Sequence, residues 1–356
     1  MTPIRLRGPV VIVGAGLVGT SVGLALRGHD IAVCLVDTDD DNLREAVSRG
    51  AGSGATAADP ELVVVAVPPR SSGDALVDAL QRWPRAVVTD VGSVKVLPFA
   101  QVEASGADLS RYVGSHPMAG SERSGPAAAS ATLFTGRSWA VSASERSSPH
   151  AVALVRSLVG LCGASVVELT PSDHDSAVAQ VSHLPHVIAA LAAGQLAMVS
   201  DRALTLAGPG LRDVTRIAAG DPDLWCQILT GNAGQLYGPL HALRHDLDQL
   251  LDALSAGDAA VVEELLLRGQ QGTEQIPGKH GGSASTAVGL LVQVADRPGE
   301  LGRLFADAGA SGVNVEDLRI DHDPSRPVGR VEVVVRRDAA DHLAGWLTDA
   351  GWLVQR

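Results

Sequence analysis

Short apolar runs alternate with stretches of helical periodicity from residue 9 to about residue 169. The runs are rich in β-branched residues and apolar throughout, which is typical of strands that are covered on both faces. Strand–helix alternation of this kind predicts an α/β fold with a doubly wound parallel sheet. The predicted strands are Val10–Val13, Ile31–Val36, Leu62–Val67, Ala86–Thr89, Ser138–Val141 and Ser165–Leu169.

The β pattern ends near Pro171, and Ala- and Leu-rich helical patterns replace it, as in Asp173–Ser200 and Leu236–Ala256. A Gly- and Ser-rich segment, 272–286, is typical of a linker. We therefore predict a first α/β domain over 1–170, an all-α domain over 171–271 and a further domain after the linker.

The last part of the chain, 287–356, shows strand and helix patterns in the order βαββαβ. That order within roughly 70 residues predicts a small ferredoxin-like domain. The predicted elements are the strands Ala287–Val294, Val315–Ile320, Arg330–Val335 and Trp352–Val354 and the helices Glu300–Ala310 and Ala339–Asp349.

Composition and charge narrow the class of protein. The 356 residues carry a net charge of −12, which argues against a nucleic-acid partner because such partners need clustered Lys and Arg. The three cysteines lack metal-binding spacing and suit a reducing compartment. The start of the chain lacks a signal-peptide pattern, and the longest apolar stretch, Val187–Val199, is too short to span a membrane. We expect a soluble, cytoplasmic protein with no membrane contact.

A glycine-rich turn, VVIVGAGLVG, joins the first predicted strand to a helix and carries Gly14, Gly16 and Gly19 in the spacing GxGxxG. In that context the motif predicts a Rossmann-type dinucleotide site, with pyrophosphate at the helix N-terminus. Asp37 ends the second strand, 18 residues after Gly19, where its carboxylate would bind a ribose and repel a 2′-phosphate. The motif therefore predicts NAD rather than NADP; the alternative is that the glycines serve packing alone. The predicted cofactor residues are Gly14, Ala15, Gly16, Leu17, Val18, Gly19 and Asp37.

Two further side chains follow predicted strands at the edge of the sheet where ligands bind. Arg70, after the third strand, is either a contact to a cofactor phosphate or an exposed loop arginine. Ser93, in TDVGSVK, is either a site hydroxyl or a helix N-cap.

His116 lies in SHPMAGSE, which we predict to be a loop because it lacks bulky residues. It follows RYVGS, which we predict to be a segment at the edge of the sheet, in the cofactor-binding half of the chain. A nicotinamide enzyme that oxidises an alcohol needs a base, and histidine has a pKa suited to that task. We predict that His116 is this base; the alternative is a solvent-facing turn residue.

The helical region supplies candidate residues in two motifs. SHLPH places His183 and His186 three residues apart, and His174 lies upstream; no HExxH pattern or third ligand supports a metal, so none is expected. Asp213 and Arg216 have the spacing of a surface ion pair, unless Arg216 instead binds a substrate carboxylate.

GAGLVG, TDVGSVK, VGSHPMAGSE, SDHDSAVAQVSHLPH and LRDVTRIAAGDPDLW, in this order, resemble the prephenate/arogenate dehydrogenase family from residue 10 to about residue 270. The resemblance implies an NAD-dependent oxidative decarboxylation of prephenate to 4-hydroxyphenylpyruvate in tyrosine biosynthesis, by a homodimer. It implies that His116 takes the proton of the C4 hydroxyl, Ser93 contacts that hydroxyl and Arg216 binds a carboxylate. The remaining implied residues are His186, which lines the pocket, His174, Asp213 and Trp225, which support it, and Glu122 at its mouth.

The tail resembles an ACT domain, an amino-acid-sensing module. The matching residues are Asp296, Pro298, Gly299 and Leu301 at a strand-to-helix turn, and Asn314 further on. The resemblance implies regulation by tyrosine; the alternative is that the domain only pairs with a second copy.

Several other functions are alternatives to the one that this resemblance implies. β-Hydroxyacid dehydrogenases use a lysine base in their helical domain, whereas Lys95 and Lys279, the only lysines here, lie elsewhere. Arogenate and 4-amino-4-deoxyprephenate remain open as alternative substrates. A non-catalytic sensor of NAD and amino acids is a further alternative, against which the presence of His116, Ser93 and Arg216 argues.

Overall fold

The computed structural model describes residues 5–55, 57–120, 123–276, 287–322 and 328–355. The chain divides into two compact units, Met1–Leu243 and Arg244–Arg356. The first unit contains a seven-stranded sheet. Its strands are β1 Val10–Val13, β2 Val33–Val36, β3 Leu62–Val65, β4 Val87–Asp90, β5 Tyr112–Pro117, β6 Ser138–Ser142 and β7 Ser165–Glu168.

The strand order is β2-β1-β3-β4-β5-β6-β7, and every neighbouring pair is parallel except β5 and β6. The predicted Rossmann-type sheet is confirmed. The prediction of a loop around His116 is wrong, because His116 belongs to β5 and pairs with Ala140 of β6. Gly114, Ser115 and Pro117 give this strand no β-branched run, so burial between β4 and β6 stabilises it rather than intrinsic preference.

Five helices cover the two faces of this sheet, and its core is mainly aliphatic, with a few buried aromatic side chains: Trp83, Phe99, Tyr112, Phe134 and Trp139. One hydrophobic cluster includes Ile12, Leu35 and Leu154, and the other includes Val63, Leu76 and Val88. The helices are α1 Leu17–Arg27, α2 Asp40–Ser48, α3 Pro69–Arg82, α4 Val96–Ala104 and α5 Pro149–Leu161.

The chain after the sheet is helical, as predicted, but the expected helix over 173–200 is interrupted. A π-helical turn, Ala179–His183, separates two α-helices. Pro185 follows it and has no N–H to donate to the preceding turn, which favours such an irregularity. The helices are α6 Pro171–Val178, α7 Leu184–Gln195, α8 Asp201–Leu204, α9 Pro209–Thr215, α10 Pro222–Gly231, α11 Ala233–Ala256 and α12 Ala259–Glu274.

In the described part of the chain, one helical run, Pro171–Met198, is long and apolar enough to cross a membrane. A single run of this kind is weak evidence for a membrane span. One face of this run carries the buried residues His174, His183 and His186, whereas Val181 and Leu191 are exposed elsewhere on the run. The run thus packs one face against the protein and leaves an apolar face open.

The second unit contains an antiparallel four-stranded sheet, and its elements follow the predicted order βαββαβ. The elements are β8 Ala287–Ala295, α13 Glu300–Ala310, β9 Val315–His322, β10 Val328–Arg336, α14 Arg337–Asp349 and β11 Leu353–Gln355. The strand order is β11-β8-β10-β9, and α13 and α14 pack against the sheet around Leu290, Val333 and Leu343. In the predicted linker, α12 continues to Glu274, and 277–286 lie outside the described residues.

Candidate active site

The glycine-rich turn between β1 and α1 has the geometry of a dinucleotide site. Gly14 has φ +104°, and a Cβ there would lie 2.3 Å from the Ala66 carbonyl oxygen. A Cβ on Gly19 would lie 1.9 Å from the Gly14 carbonyl oxygen, whereas a Cβ on Gly16 would meet nothing within 4 Å. No side chain caps α1, so its first N–H groups can bind an anion. These features fit the pyrophosphate of a dinucleotide.

Asp37 stands at the end of β2 with its carboxylate fixed by backbone groups. Oδ2 accepts a hydrogen bond from the Ala15 N–H at 2.5 Å, and Oδ1 accepts one from the Asp39 N–H at 2.8 Å. Asp40 and Asp41 follow in the first turn of α2. This acidic surround suits a ribose with free hydroxyls and repels a 2′-phosphate, in agreement with the choice of NAD.

Arg70 lies in the first turn of α3 and contacts α10. Its guanidinium pairs with the Asp223 carboxylate at 3.2 Å, and its backbone N–H donates to Gln227 Oε1 at 3.0 Å. Both charged side chains are largely exposed. Arg70 therefore joins α3 to α10 here, and its contact to a cofactor phosphate stays a prediction.

His116 begins a series of hydrogen bonds that leads into the protein. Its Nδ1 lies 2.9 Å from Nε2 of His174, and Nδ1 of His174 lies 2.7 Å from Oδ1 of Asp175. His174 and Asp175 are buried on α6. Because a carboxylate only accepts, His174 carries its proton on Nδ1 and accepts at Nε2, so His116 donates from Nδ1. These tautomers leave Nε2 of His116 as a proton acceptor.

Burial lowers the pKa of His116 well below its ordinary value, and the nearby positive charge of Lys95 adds to that shift. A histidine with such a pKa is neutral near pH 7. It is therefore in the protonation state that a general base requires.

Asp175 also caps the N-terminus of α4, through hydrogen bonds from the Lys95 and Val96 N–H groups, both at 2.8 Å. The alternative role of Ser93 as the N-cap is therefore wrong, since Lys95 precedes α4 and Asp175 supplies the cap. Ser93 lies in the loop between β4 and α4. Its contact to a substrate hydroxyl stays a prediction.

Sequence reasoning missed a buried ion pair between Lys95, directly before α4, and Asp90, the last residue of β4. Asp90 also accepts hydrogen bonds from the Tyr112 hydroxyl at 2.9 Å and from the Gly92 N–H at 3.0 Å. The Lys95 ammonium donates to the Ser115 carbonyl at 2.8 Å. TDVGSVK contains both charged residues, but their spacing in a loop gives no sign that they pair.

His186 and Trp225 form a stacked pair, with ring centroids 3.5 Å apart and planes 9° apart. A Cβ on Gly220 would lie 2.5 Å from the Trp225 Nε1, so glycine gives the stack its room. His186 Nδ1 is buried without a hydrogen-bond partner in the described structure. Burial lowers the pKa of His186 as well. A buried imidazole with an unused ring nitrogen beside an aromatic ring suits the wall of a substrate pocket.

His183 lies beside this stack and is held by Asn232. The Asn232 side-chain amide donates to the Asp175 carbonyl at 2.8 Å and lies 3.2 Å from Nδ1 of His183. Burial lowers the pKa of His183 to about 4, so this histidine is neutral too. Despite the several histidines, the described residues contain no group of three or more His, Cys, Asp or Glu placed to hold a metal.

Asp213 and Arg216 are exposed, and the ion pair expected from their spacing does not form among the described residues. Arg216 begins a 3₁₀ segment, Arg216–Ala219, that packs against α7. Its guanidinium is therefore not committed to Asp213. Glu122, the predicted acid at the mouth, lies outside the described residues.

Four of the five predicted regulatory residues lie at the start of α13. Asp296, Pro298 and Gly299 form the turn after β8, where Gly299 has φ +92°, and Leu301 packs against the core. Asn314 is exposed and donates to Glu316 at 3.1 Å. Their role in binding an effector stays a prediction.

Two protein-family models match most of the chain. Residues 22–168 match the nucleotide-binding domain of prephenate dehydrogenase, and residues 170–268 match the dimerization domain of prephenate dehydrogenase. The boundary between the two matches lies at the end of β7.

Curated relatives and solved structures agree with these matches. The chain is 35% identical to the probable prephenate dehydrogenase NovF of Streptomyces niveus, over 96% of this chain and 98% of that protein. It is 25% identical to prephenate dehydrogenase of Bacillus subtilis, over 89% of each chain. A crystal structure of Aquifex aeolicus prephenate dehydrogenase with hydroxyphenyl propionate and NAD+ has a TM-score of 0.66 at 27% identity, and covers 74% of this chain and 96% of its own. Synechocystis arogenate dehydrogenase has a TM-score of 0.62 at 28% identity, and covers 74% of this chain and 97% of its own.

Proposed function

This chain belongs to the prephenate dehydrogenase family, and we propose that it converts prephenate to 4-hydroxyphenylpyruvate by oxidative decarboxylation. Its predicted class, an NAD-dependent oxidoreductase, is confirmed. The observation that carries the proposed chemistry is the series His116–His174–Asp175, which leaves Nε2 of His116 as a proton acceptor.

The roles of the side chains follow from the tautomers and the charges. His116 accepts the proton of the substrate C4 hydroxyl at Nε2. Its Nδ1–H stays bonded to His174, and the Asp175 carboxylate behind His174 stabilises the positive charge that develops. NAD, when bound, accepts the hydride from C4. Loss of the C1 carboxylate as CO2 then makes the substrate ring aromatic, so the reaction is effectively irreversible.

Ser93 and Arg216 complete the proposed site. The loop that carries Ser93 is held at Gly92 by Asp90 and at Lys95 by Asp175, so the hydroxyl stands on a fixed segment. The planar guanidinium of Arg216 can bind a substrate carboxylate through two parallel hydrogen bonds. The stacked rings of His186 and Trp225 provide a flat apolar wall for the cyclohexadiene ring.

Replacement of His116 by asparagine tests the proposed base. We expect His116→Asn to bind NAD nearly as the wild type does and to lower kcat by at least about 10²-fold, because a positioned base contributes on that order. His150→Asn, a change at an exposed histidine of α5, is the matched control and should keep full activity. A His116→Asn enzyme with kcat within about threefold of wild type would contradict the assignment.

A substrate panel tests the choice of prephenate. We expect the highest kcat/KM with prephenate and NAD, because relatives of this chain are named prephenate dehydrogenases. Arogenate and 4-amino-4-deoxyprephenate, each with NAD and with NADP, are the alternatives. A higher kcat/KM for either alternative would identify that compound, and not prephenate, as the substrate.

The proposed assembly is a cytoplasmic homodimer formed through the helical region. The matching family model is named a dimerization domain, and large apolar side chains are exposed there. Light scattering of the purified chain should give twice the monomer mass. The exposed apolar residues include Val181, Leu191, Met198, Leu206, Tyr237, Leu251 and Leu266.

We also propose tyrosine as an effector at the ACT-like domain, on the resemblance of Asp296, Pro298, Gly299, Leu301 and Asn314. A bound effector raises the melting temperature by mass action. Tyrosine should therefore raise Tm more than phenylalanine does. If Tm is the same with and without tyrosine, the domain does not bind tyrosine, and its role is only to pair with a second copy.

A further inference from the structure

The buried ion pair of Lys95 and Asp90 lies beside β5, the strand that carries His116. A contribution to the stability of the fold does not explain why this pair is buried. Lys95 and Asp90 both have 0% relative exposure. Taking two charges out of water is costly, and apolar replacements of such pairs are often neutral or stabilising. The function of this ion pair therefore depends on the groups that it contacts.

Lys95 reaches the backbone of β5 immediately before His116. A Cβ on Gly114 would lie 3.0 Å from Cδ of Lys95, so the lysine stem passes β5 where a glycine leaves space. The ammonium then donates to the Ser115 carbonyl at 2.8 Å. The Ser115 hydroxyl in turn donates to the Asp90 carbonyl at 2.7 Å. The residue before His116 is thus held by both members of the pair.

We propose that Lys95 is a positioning residue for His116, which fixes the backbone that carries the imidazole and places a positive charge at the residue before it. The proposal rests on the proposed function of His116 as the base. It assigns to the lysine of TDVGSVK a role that does not require contact with substrate or cofactor.

The charge of Lys95 acts together with the other groups that face His116. These are His174 from α6 and His183 from the π-helical turn, while Asp175 reaches His116 only through His174. A neighbouring positive charge disfavours the imidazolium, so Lys95 lowers the pKa of His116. Without that charge, His116 would take up a proton at higher pH and would lose its function as a base there.

Paired substitutions separate the charge of Lys95 from its hydrogen bond. Asp90→Asn with Lys95→Gln removes both charges but keeps an amide donor near the Ser115 carbonyl. Asp90→Asn with Lys95→Met removes the charges and the donor. Neither leaves a lone buried charge. Tyr112→Phe is the matched control, because it deletes a hydrogen bond from an uncharged donor to the same Asp90 carboxylate.

Two readouts keep the inference separate from the proposed function. The pKa of His116 is measured by NMR titration of histidine-labelled protein without substrate, with the resonance assigned by its loss in His116→Asn. The pH dependence of kcat/KM for prephenate reports the same group in turnover. Absence of turnover with a shifted His116 pKa would end the proposed function and leave the inference standing.

We expect both double variants to raise the proton affinity of His116 by less than about tenfold, because the negative charge of Asp90 is lost together with the positive charge of Lys95, and to move the acid limb of kcat/KM to higher pH equally. Only the Met variant should also lower the plateau, because it loses the bond to Ser115. Tyr112→Phe should lower Tm and leave the acid limb in place. An unchanged His116 pKa in a folded double variant overturns the inference. If neither double variant folds, a wild-type His116 that titrates at its ordinary pKa overturns it.

Discussion

Asp175→Asn tests the series behind the proposed base more sharply than a change of His116 itself. Asp175 accepts three hydrogen bonds: Oδ1 accepts from His174 and from the Lys95 N–H, and Oδ2 accepts from the Val96 N–H. An asparagine has one acceptor oxygen and one donor nitrogen in place of two acceptors. At least one of these three donors must therefore lose its partner.

The orientation of the new amide decides which property suffers. If the asparagine oxygen faces His174, the two imidazoles keep their tautomers, but the carboxylate charge that would stabilise the His116 imidazolium is lost. With its nitrogen toward His174, both imidazoles change tautomer, and His116 carries a proton on the nitrogen that must accept one. We expect kcat to fall by about 10²–10⁴, or about 2.7–5.4 kcal/mol in the barrier. The unpaired N–H should lower the free energy of unfolding by about 1–3 kcal/mol.

Steady-state kinetics with prephenate and NAD, together with denaturant unfolding, measure both effects. Asp173→Asn is the control, because Asp173 lies on the same helix, loses the same charge and is exposed. It should match wild type in kcat. If the Asp175→Asn enzyme were less stable but had the wild-type kcat, Asp175 would serve only as a helix cap. The series His116–His174–Asp175 would then have no role in catalysis.

Four further outcomes are expected. Asp37→Ala should raise KM for NAD and narrow the preference for NAD over NADP in kinetics with both cofactors, since the fixed carboxylate is lost. Gly19→Ala should abolish NAD binding in calorimetry, because its Cβ would lie 1.9 Å from the Gly14 carbonyl oxygen. Arg216→Ala should raise KM for prephenate more than it lowers kcat, and an unchanged KM would remove Arg216 from the site. His183 has its folded-state pKa lowered from 6.5 to about 4, so the stability it contributes is full above pH 6.5 and is lost as pH falls through about 4; Tm across that range checks it.

The sheet could be predicted wherever hydrophobic pattern and β-branched residues agree, as in Val10–Val13 and Leu62–Val65. The strand β5 could be predicted only in part: RYVGS indicates a sheet-edge segment, whereas the rest of the strand, His116 and Pro117, has neither a β-branched run nor alternation. It is a strand because β4 and β6 lie on either side of it and supply hydrogen bonds. The π-helical turn before Pro185 was missed for a related reason, since helical periodicity alone does not reveal a single extra residue in a turn.

The candidate site divides in the same way. Motifs pointed to His116, His174, His186 and Trp225. The structure places His116 against His174 and stacks His186 on Trp225, with His183 next to Trp225. Sequence reasoning did not find the interactions that link separate elements, such as the Asp175 cap on α4. Adjacency of Asp175 to His174 was a usable signal, because a carboxylate beside a histidine can set its tautomer.

The positions of His116, the proposed base, and of Arg216, the proposed carboxylate-binding residue, imply that they act at different stages of catalysis. His116 is fixed on a strand and bonded to a buried histidine, so its orientation is set before substrate arrives. Arg216 is exposed on a short 3₁₀ segment, so its side chain loses conformational freedom only when it binds a carboxylate. Disruption of the groups behind His116 should therefore appear mainly in kcat, and disruption around Arg216 mainly in KM. The reverse pattern would mean that the buried histidines hold the substrate and that Arg216 stabilises the transition state.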